Sequence, residues 1–161
     1  MIVVSDTTAI SCLFKTDNLA LLRHFSKKVL LPSAVWQELE RLETKGFDIS
    51  ELRKSDWLVV VEVGNTELVS ILQVELDKGE SEAIALAMEK GADYLLIDEK
   101  DGRAKASALG VQTIGTIGIF IALKENEIIP AIKPYLDSLR NEAGFYLSDK
   151  FYQEILTRVG E

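Results

Sequence analysis

Five short apolar runs, each followed by a stretch of helical character, set the plan of this chain. They are Met1–Ser5, Lys28–Leu31, Trp57–Val63, Tyr94–Ile97 and Val111–Ile114. Ile2-Val3-Val4 and Leu58-Val59-Val60-Val61 are continuously apolar rather than alternating. Strands of that kind belong in a sheet covered on both faces. The intervening stretches are long enough for the right-handed crossovers that parallel strands require. The pattern predicts an α/β fold, a three-layer α/β/α arrangement around a parallel five-stranded sheet. No repeat, linker or low-complexity segment divides the sequence. Residues 1–161 therefore read as a single domain, with a core over about 1–125 and a helical extension over about 126–161.

The helical stretches are Ala9–Phe14, Asn18–Phe25, Ser33 to about Lys45, Thr66–Leu76, Glu80–Lys90, Lys100–Leu109 and Ile119–Lys124. Phe47–Ser55 reads as a short helix or a loop. Gly91 and Gly110 close the helices before them. An amphipathic pair, Pro130–Asn141 and Ser148–Val159, joined near Gly144-Phe145, makes up the extension.

The acids fall at particular places in this plan. Asp6 and Asp98 each directly follow a predicted strand, at the carboxyl edge where open parallel sheets bind ligands. Either is also a natural helix N-cap. In the helix from Ser33, Leu39 and Leu42 lie within about 40° of Val35 and form the buried stripe. Glu38 sits at its border, facing a neighbouring strand end or a surface cation, while Glu40 points to water. Gly79-Glu80-Ser81-Glu82 opens a small-residue, buried helix. Acids in a first helical turn are favoured by the helix dipole alone. Residues two apart on a helix point about 200° apart, so one of Glu80 and Glu82 faces a common site, and helix geometry leaves open which.

Four carboxylates brought together do not all stay ionised without a counter-charge. Carboxylate oxygens and water suit Mg²⁺ or Mn²⁺. Such an ion activates water and stabilises phosphate-ester cleavage. Thr7 is placed to bond a ligand water or a phosphate. Lys100, Arg103 and Lys105 follow Asp98 on a helix, as a solvated face or as a grip on phosphate.

Other chemistries find little support. Cys12 is the only cysteine, which excludes an internal disulfide and a cysteine-based zinc site, and His24 is the only histidine. No serine has a histidine partner at a suggestive position, against a Ser-His-Asp hydrolase. Gly115-Thr116-Ile117-Gly118 resembles a phosphate-cradling turn but lacks the length and lysine of a P-loop. The net charge of −8 argues against a general nucleic-acid coat, not against a nuclease that gathers acids around metal. No run approaches the ~20 apolar residues of a membrane span, and Met1-Ile2-Val3-Val4-Ser5-Asp6 lacks the pattern of a signal peptide. The expectation is a cytoplasmic protein with no membrane partner.

Taken together, Val3-Val4-Ser5-Asp6-Thr7-Thr8, Pro32-x-x-Val35-x-x-Glu38-Leu39, Gly79-Glu80-Ser81-Glu82-Ala83-Ile84-Ala85-Leu86-Ala87 and Tyr94-Leu95-Leu96-Ile97-Asp98-Glu99 resemble the PIN domain, the ribonuclease fold of many prokaryotic toxins. Gly102-Arg103-x-x-Ala106 and Gly110-Val111-x-x-Ile114-Gly115-Thr116-x-Gly118 are similar to a bacterial and archaeal branch of that superfamily. The resemblance covers roughly residues 1–125. It implies strand order 3-2-1-4-5 and a Mg²⁺- or Mn²⁺-dependent endoribonuclease. It assigns the catalytic and metal-binding acids to Asp6, Glu38, Glu80 or Glu82, and Asp98 with Glu99 beside it. Thr7, Lys100 and Arg103 are the matching candidates for substrate contact.

The same resemblance implies RNA as substrate, an antitoxin as partner, and a homodimer for which the apolar helix after Gly115 supplies a surface. Three departures stand out: the third acid is Glu rather than Asp, Leu96 replaces the usual Thr or Ser two residues before the fourth acid, and the C-terminal helices are additional. The alternative is a PIN-like module that binds RNA or protein with little or no catalysis.

Overall fold

The computed structural model describes residues 1–161. Its five strands are β1 (Val3–Ser5), β2 (Val29–Pro32), β3 (Leu58–Val61), β4 (Tyr94–Leu96) and β5 (Thr113–Ile114). All pair in parallel, in the order β3-β2-β1-β4-β5. This is the expected sheet, with β1 at its centre. Ser5 lies opposite Leu96, and the Asp6 N–H donates to the Leu96 carbonyl at 2.9 Å. Both acids that follow these strands therefore emerge side by side at the carboxyl edge.

The helices are α1 (Thr7–Lys15), α2 (Leu22–Phe25), α3 (Ser33–Glu40), α4 (Ser50–Lys54), α5 (Thr66–Leu72), α6 (Lys78–Lys90), α7 (Lys100–Ala108), α8 (Thr116–Glu125), α9 (Lys133–Glu142) and α10 (Asp149–Arg158). Successive strand side chains point to opposite faces, so the sheet feeds two cores. Val4, Leu95 and Ile97 join α5, α6 and α7 in one cluster. Val3 and Leu96 join residues of α1 to α4 and α8 to α10 in a larger one. No helix is long and apolar enough to cross a membrane.

The C-terminal helices belong to that larger core. Leu136, Leu139, Tyr152, Ile155 and Leu156 share it with Val3 and Ile10. The Tyr135 ring stacks on Phe120 at 4.9 Å between centroids. Burying a ring such as that of Phe120 contributes about 2–3 kcal/mol. Ile119, Phe120 and Leu123 of α8 are thereby covered within the chain. Apolar side chains that stay exposed include Ile71, Val74 and Leu109, on the α5 and α7 flank.

Several helix boundaries differ from expectation. The helix from Ser33 ends at Glu40 and tightens into a 3-10 turn over Glu43–Lys45. Gly46 then reverses the chain at φ +91°, a conformation favouring glycine. The stretch Asn18–Phe25 is a 3-10 turn, Leu19–Leu21, leading into the short α2. The helix expected over Thr66–Leu76 stops at Leu72. Helix α8 begins at Thr116, three residues early, because an acid from the neighbouring strand takes up its first N–H.

Candidate metal centre

The centre of the edge is Asp6. It caps α1, its Oδ1 accepting from the Thr7 N–H at 2.6 Å. The cap and the site are thus the same residue. Only 4% of Asp6 is exposed. Burial pushes its carboxyl up from an ordinary 3.8 to about 8; the Thr7 N–H opposes this, and nearby Glu80, Asp77 and Glu38 raise it further. No salt bridge reaches Asp6, Glu38, Glu80 or Asp98.

Glu80 comes from the first turn of α6. Asp77 caps that helix by accepting from the Glu80 N–H at 2.8 Å. Glu80 is 8% exposed. Burial lifts its carboxyl to about 7, with Asp77 adding to the rise; the Asp77 backbone opposes it, while Glu99 and Glu38 raise it. The Glu80 carboxyl carbon also lies 3.8 Å from where a Cβ on Gly102 of α7 would stand. Glu80 therefore bridges from α6 toward the start of α7, between Asp6 and Glu99.

Glu82 turns elsewhere. Its Oε2 accepts from the Ala34 N–H at 2.7 Å, at the first turn of α3. The opposed directions expected for residues two apart are realised: Glu80 joins Asp6 and Glu82 ties α6 to α3.

Glu38 reaches the edge from α3. The Thr7 hydroxyl donates to its Oε2 at 2.5 Å. A Cβ on Gly79 would lie 2.6 Å from Glu38 Oε1, so the missing side chain at Gly79 makes the space that carboxylate occupies. Thr7 thus positions an acid of the site by its hydroxyl.

Asp98 has a different setting. Its Oδ1 accepts from the Thr116 N–H at 2.8 Å, and its Oδ2 accepts from the Thr116 hydroxyl at 2.7 Å. Burial raises its pKa, while Thr116 and the Arg103 guanidinium hold it down. A Cβ on Gly115 would stand 2.9 Å from Asp98 Oδ1 and 3.1 Å from Arg103 Nη1. The Gly115-Thr116 turn at a helix start thus cradles an anion, but the anion is the chain's own Asp98. Glu99 and Lys100 are exposed, and Lys100 forms no salt bridge. Lys105 is drawn away to Glu75 at 2.7 Å.

Two participants escaped the sequence reading. Asp77 had a visible signal, since Asp77-x-x-Glu80 is a capping-box spacing ahead of a buried run. Thr116 had none, because its partner lies 18 residues away across a strand.

The donor set suits a hard divalent cation: carboxylate oxygens from four elements, two with strongly raised pKa values. No three of these groups converge closely enough to chelate an ion without side-chain adjustment.

Among solved structures, the chain is similar to a PilT N-terminus domain protein, SSO1118, from the hyperthermophilic archaeon Sulfolobus solfataricus P2. The identity is 22%, the TM-score 0.49, and the match covers 76% of this chain and 92% of that one. At that identity and TM-score the likeness carries no inference about activity. No curated protein matches the sequence. The family model described as DUF3368, PIN domain, matches residues 2–161, nearly the whole length. The chain belongs to this PIN-domain family.

Proposed function

We propose that the protein is a Mg²⁺- or Mn²⁺-dependent endoribonuclease of toxin type. The PIN domain is a nuclease-type fold. The observation that carries the finer reading is Asp6: a buried carboxyl pushed up to about 8, with three further acids acting on it and no salt bridge. A purely structural cap has no use for that electrostatic cost, which a bound cation reverses.

In this reading Asp6, Glu38, Glu80 and Asp98 hold the ion, with Glu99 at the rim. A divalent cation there supplies the charge that admits a phosphodiester and the Lewis acidity that activates water. The chain's own residues supply position. Thr7 fixes Glu38, Thr116 fixes Asp98, and Asp77 sets the first turn from which Glu80 projects. Arg103, beside Asp98, is the side chain best placed to meet a phosphate oxygen, with Lys100 one turn away. The reading brings with it cytoplasmic RNA as substrate, an inhibitory antitoxin and a second copy of the chain as partners.

The test is cleavage of single-stranded and structured RNA with Mn²⁺, wild type beside Asp6→Asn. We expect the variant to lose at least about a hundredfold in rate. Equal cleavage by both proteins would sink the assignment.

One observation favours a second reading, a binding module with weak catalysis. Glu38, Glu82 and Asp98 already have hydrogen-bond partners within the protein. Metal-dependent stabilisation separates the two. A working centre raises Tm with Mn²⁺ and loses that gain in Asp6→Asn; a module without a metal site shows no gain in either protein.

A further inference from the structure

A groove of about 530 Å³ opens beside the acids, between α1 and the loop joining α9 to α10. That volume lies within the range of sites for small organic groups. Thr8, Ser11, Cys12 and Lys15 line one wall, at the spacing of a single helical face. Asp98 and Glu99 stand at the groove, and Ala143 to Tyr146 form the opposite wall. Lys15 is the one cation in the lining, its Nζ lying 5.4 Å from the centre of the Phe47 ring. The groove thus runs from candidate metal ligands, past hydroxyls, to a lysine about two helical turns along α1.

The loop wall is built to hold an aromatic ring outward. Gly144 reverses the chain at φ +66°. The Phe145 N–H donates to the Leu139 carbonyl at 3.0 Å. Arg140 lies over the Tyr152 ring and donates to the Leu147 carbonyl at 2.9 Å. Phe145 packs against the larger core and Leu147 is buried in it. Tyr146, held between these two anchors, is 88% exposed. The backbone on either side of Tyr146 is anchored, so little main-chain freedom is lost when a flat partner stacks on its exposed ring.

We propose that Tyr146 is a base-stacking platform for single-stranded RNA. The groove seats the nucleotide flanking the cleavage point, with its base on the Tyr146 ring and a backbone phosphate against Lys15. The C-terminal extension then becomes a positioning element for the substrate. Stacking on an exposed aromatic needs an unpaired base and tolerates any sequence, so the device selects strand state rather than sequence. The placement at a cleavage point rests on the nuclease reading above; the platform itself does not.

Anisotropy titrations of a short labelled single-stranded RNA, with Ca²⁺ present, compare wild type, Tyr146→Ala, Tyr146→Phe and Lys15→Ala, with the same sequence as a blunt duplex. Steady-state cleavage with Mn²⁺ accompanies them. Because Tyr146 is a surface side chain, its substitution leaves the fold intact. For single strands, Tyr146→Ala raises Kd and KM about tenfold or more, with kcat changed by less than about twofold. Tyr146→Phe restores both, and Lys15→Ala weakens binding and flattens its salt dependence. An unchanged Kd and KM in Tyr146→Ala, or an equal loss on duplex, overturns the proposal. Loss of cleavage in Asp6→Asn with a neutral Tyr146→Ala keeps the nuclease reading and removes the platform. A Tyr146-dependent Kd without cleavage by wild type keeps the platform and removes the nuclease.

Discussion

The ends of β1 and β4 lie side by side and each presents an aspartate, Asp6 buried and Asp98 half-buried, yet the two are wired in opposite ways. Asp98 meets donors: the N–H and hydroxyl of Thr116, with Arg103 nearby. Asp6 meets a single N–H and, beyond it, other acids. Burial raises both, but only at Asp98 do neighbouring side chains oppose the rise. The difference separates two jobs that one residue type does at a sheet edge. Asp98 is a fixed corner, stable as the chain stands. Asp6 stores an electrostatic penalty that only a proton or a cation relieves.

The strongest way to break this comparison is to neutralise Asp6 without disturbing its cap, since asparagine caps helices as well as aspartate. The unfolded carboxyl ionises near 3.8 and the folded one near 8. Between those values the native state holds the extra proton, so metal-free stability falls as pH rises through the window. The full displacement from 3.8 to about 8 sets a ceiling of about 6 kcal/mol. Side-chain relaxation and water penetration reduce it to an expected gain of about 2 kcal/mol for Asp6→Asn, or about 4–8 °C in Tm. Melting curves in EDTA should show that gain at about pH 8 and almost none near pH 4. A variant less stable than wild type at the higher pH would contradict the stored penalty.

Thr116→Val tests the other corner by removing the hydroxyl while keeping the shape of the side chain. Asp98 then keeps one N–H, as Asp6 does, and stability should fall by about 1–2 kcal/mol near neutral pH, read by urea denaturation. No change would mean that the hydroxyl bond to Asp98 contributes nothing net.

Glu82→Gln sharpens the boundary of the site. Its carboxylate receives the Ala34 N–H and lies outside the group acting on Asp6. The expected cost is about 0.5 kcal/mol, from a weaker bond at the start of α3, with Mn²⁺-dependent cleavage within about twofold of wild type. A loss comparable to that of Asp6→Asn would move Glu82 into the centre.

The sheet was legible in the sequence because continuous apolar runs such as Leu58–Val61 have one natural home, between two layers of helices. Asp6 and Asp98 were legible for a related reason: an acid directly after a buried strand has its address set by the sheet. Glu80 and Glu82 were separable only in principle. Helical geometry says that they diverge, not which way each goes, and Ala34 decides it from another helix. The Thr7–Glu38 and Asp98–Thr116 bonds span 31 and 18 residues, so no local pattern announces them. Helix ends were misread where a tertiary partner moves them, as Asp98 does at Thr116.

The shared core of β1, α1 and the C-terminal helices also bears on the order of events at the ribosome. Ile10 and Leu13, on the helix that Asp6 caps, pack in one cluster with Ile155 and Leu156. A nascent chain that has not yet made α10 leaves the flank of that helix open to water, and domains settle as cooperative units. The acids at the edge of β1 are therefore held firmly only once α10 has been made and has packed into the core it shares with α1.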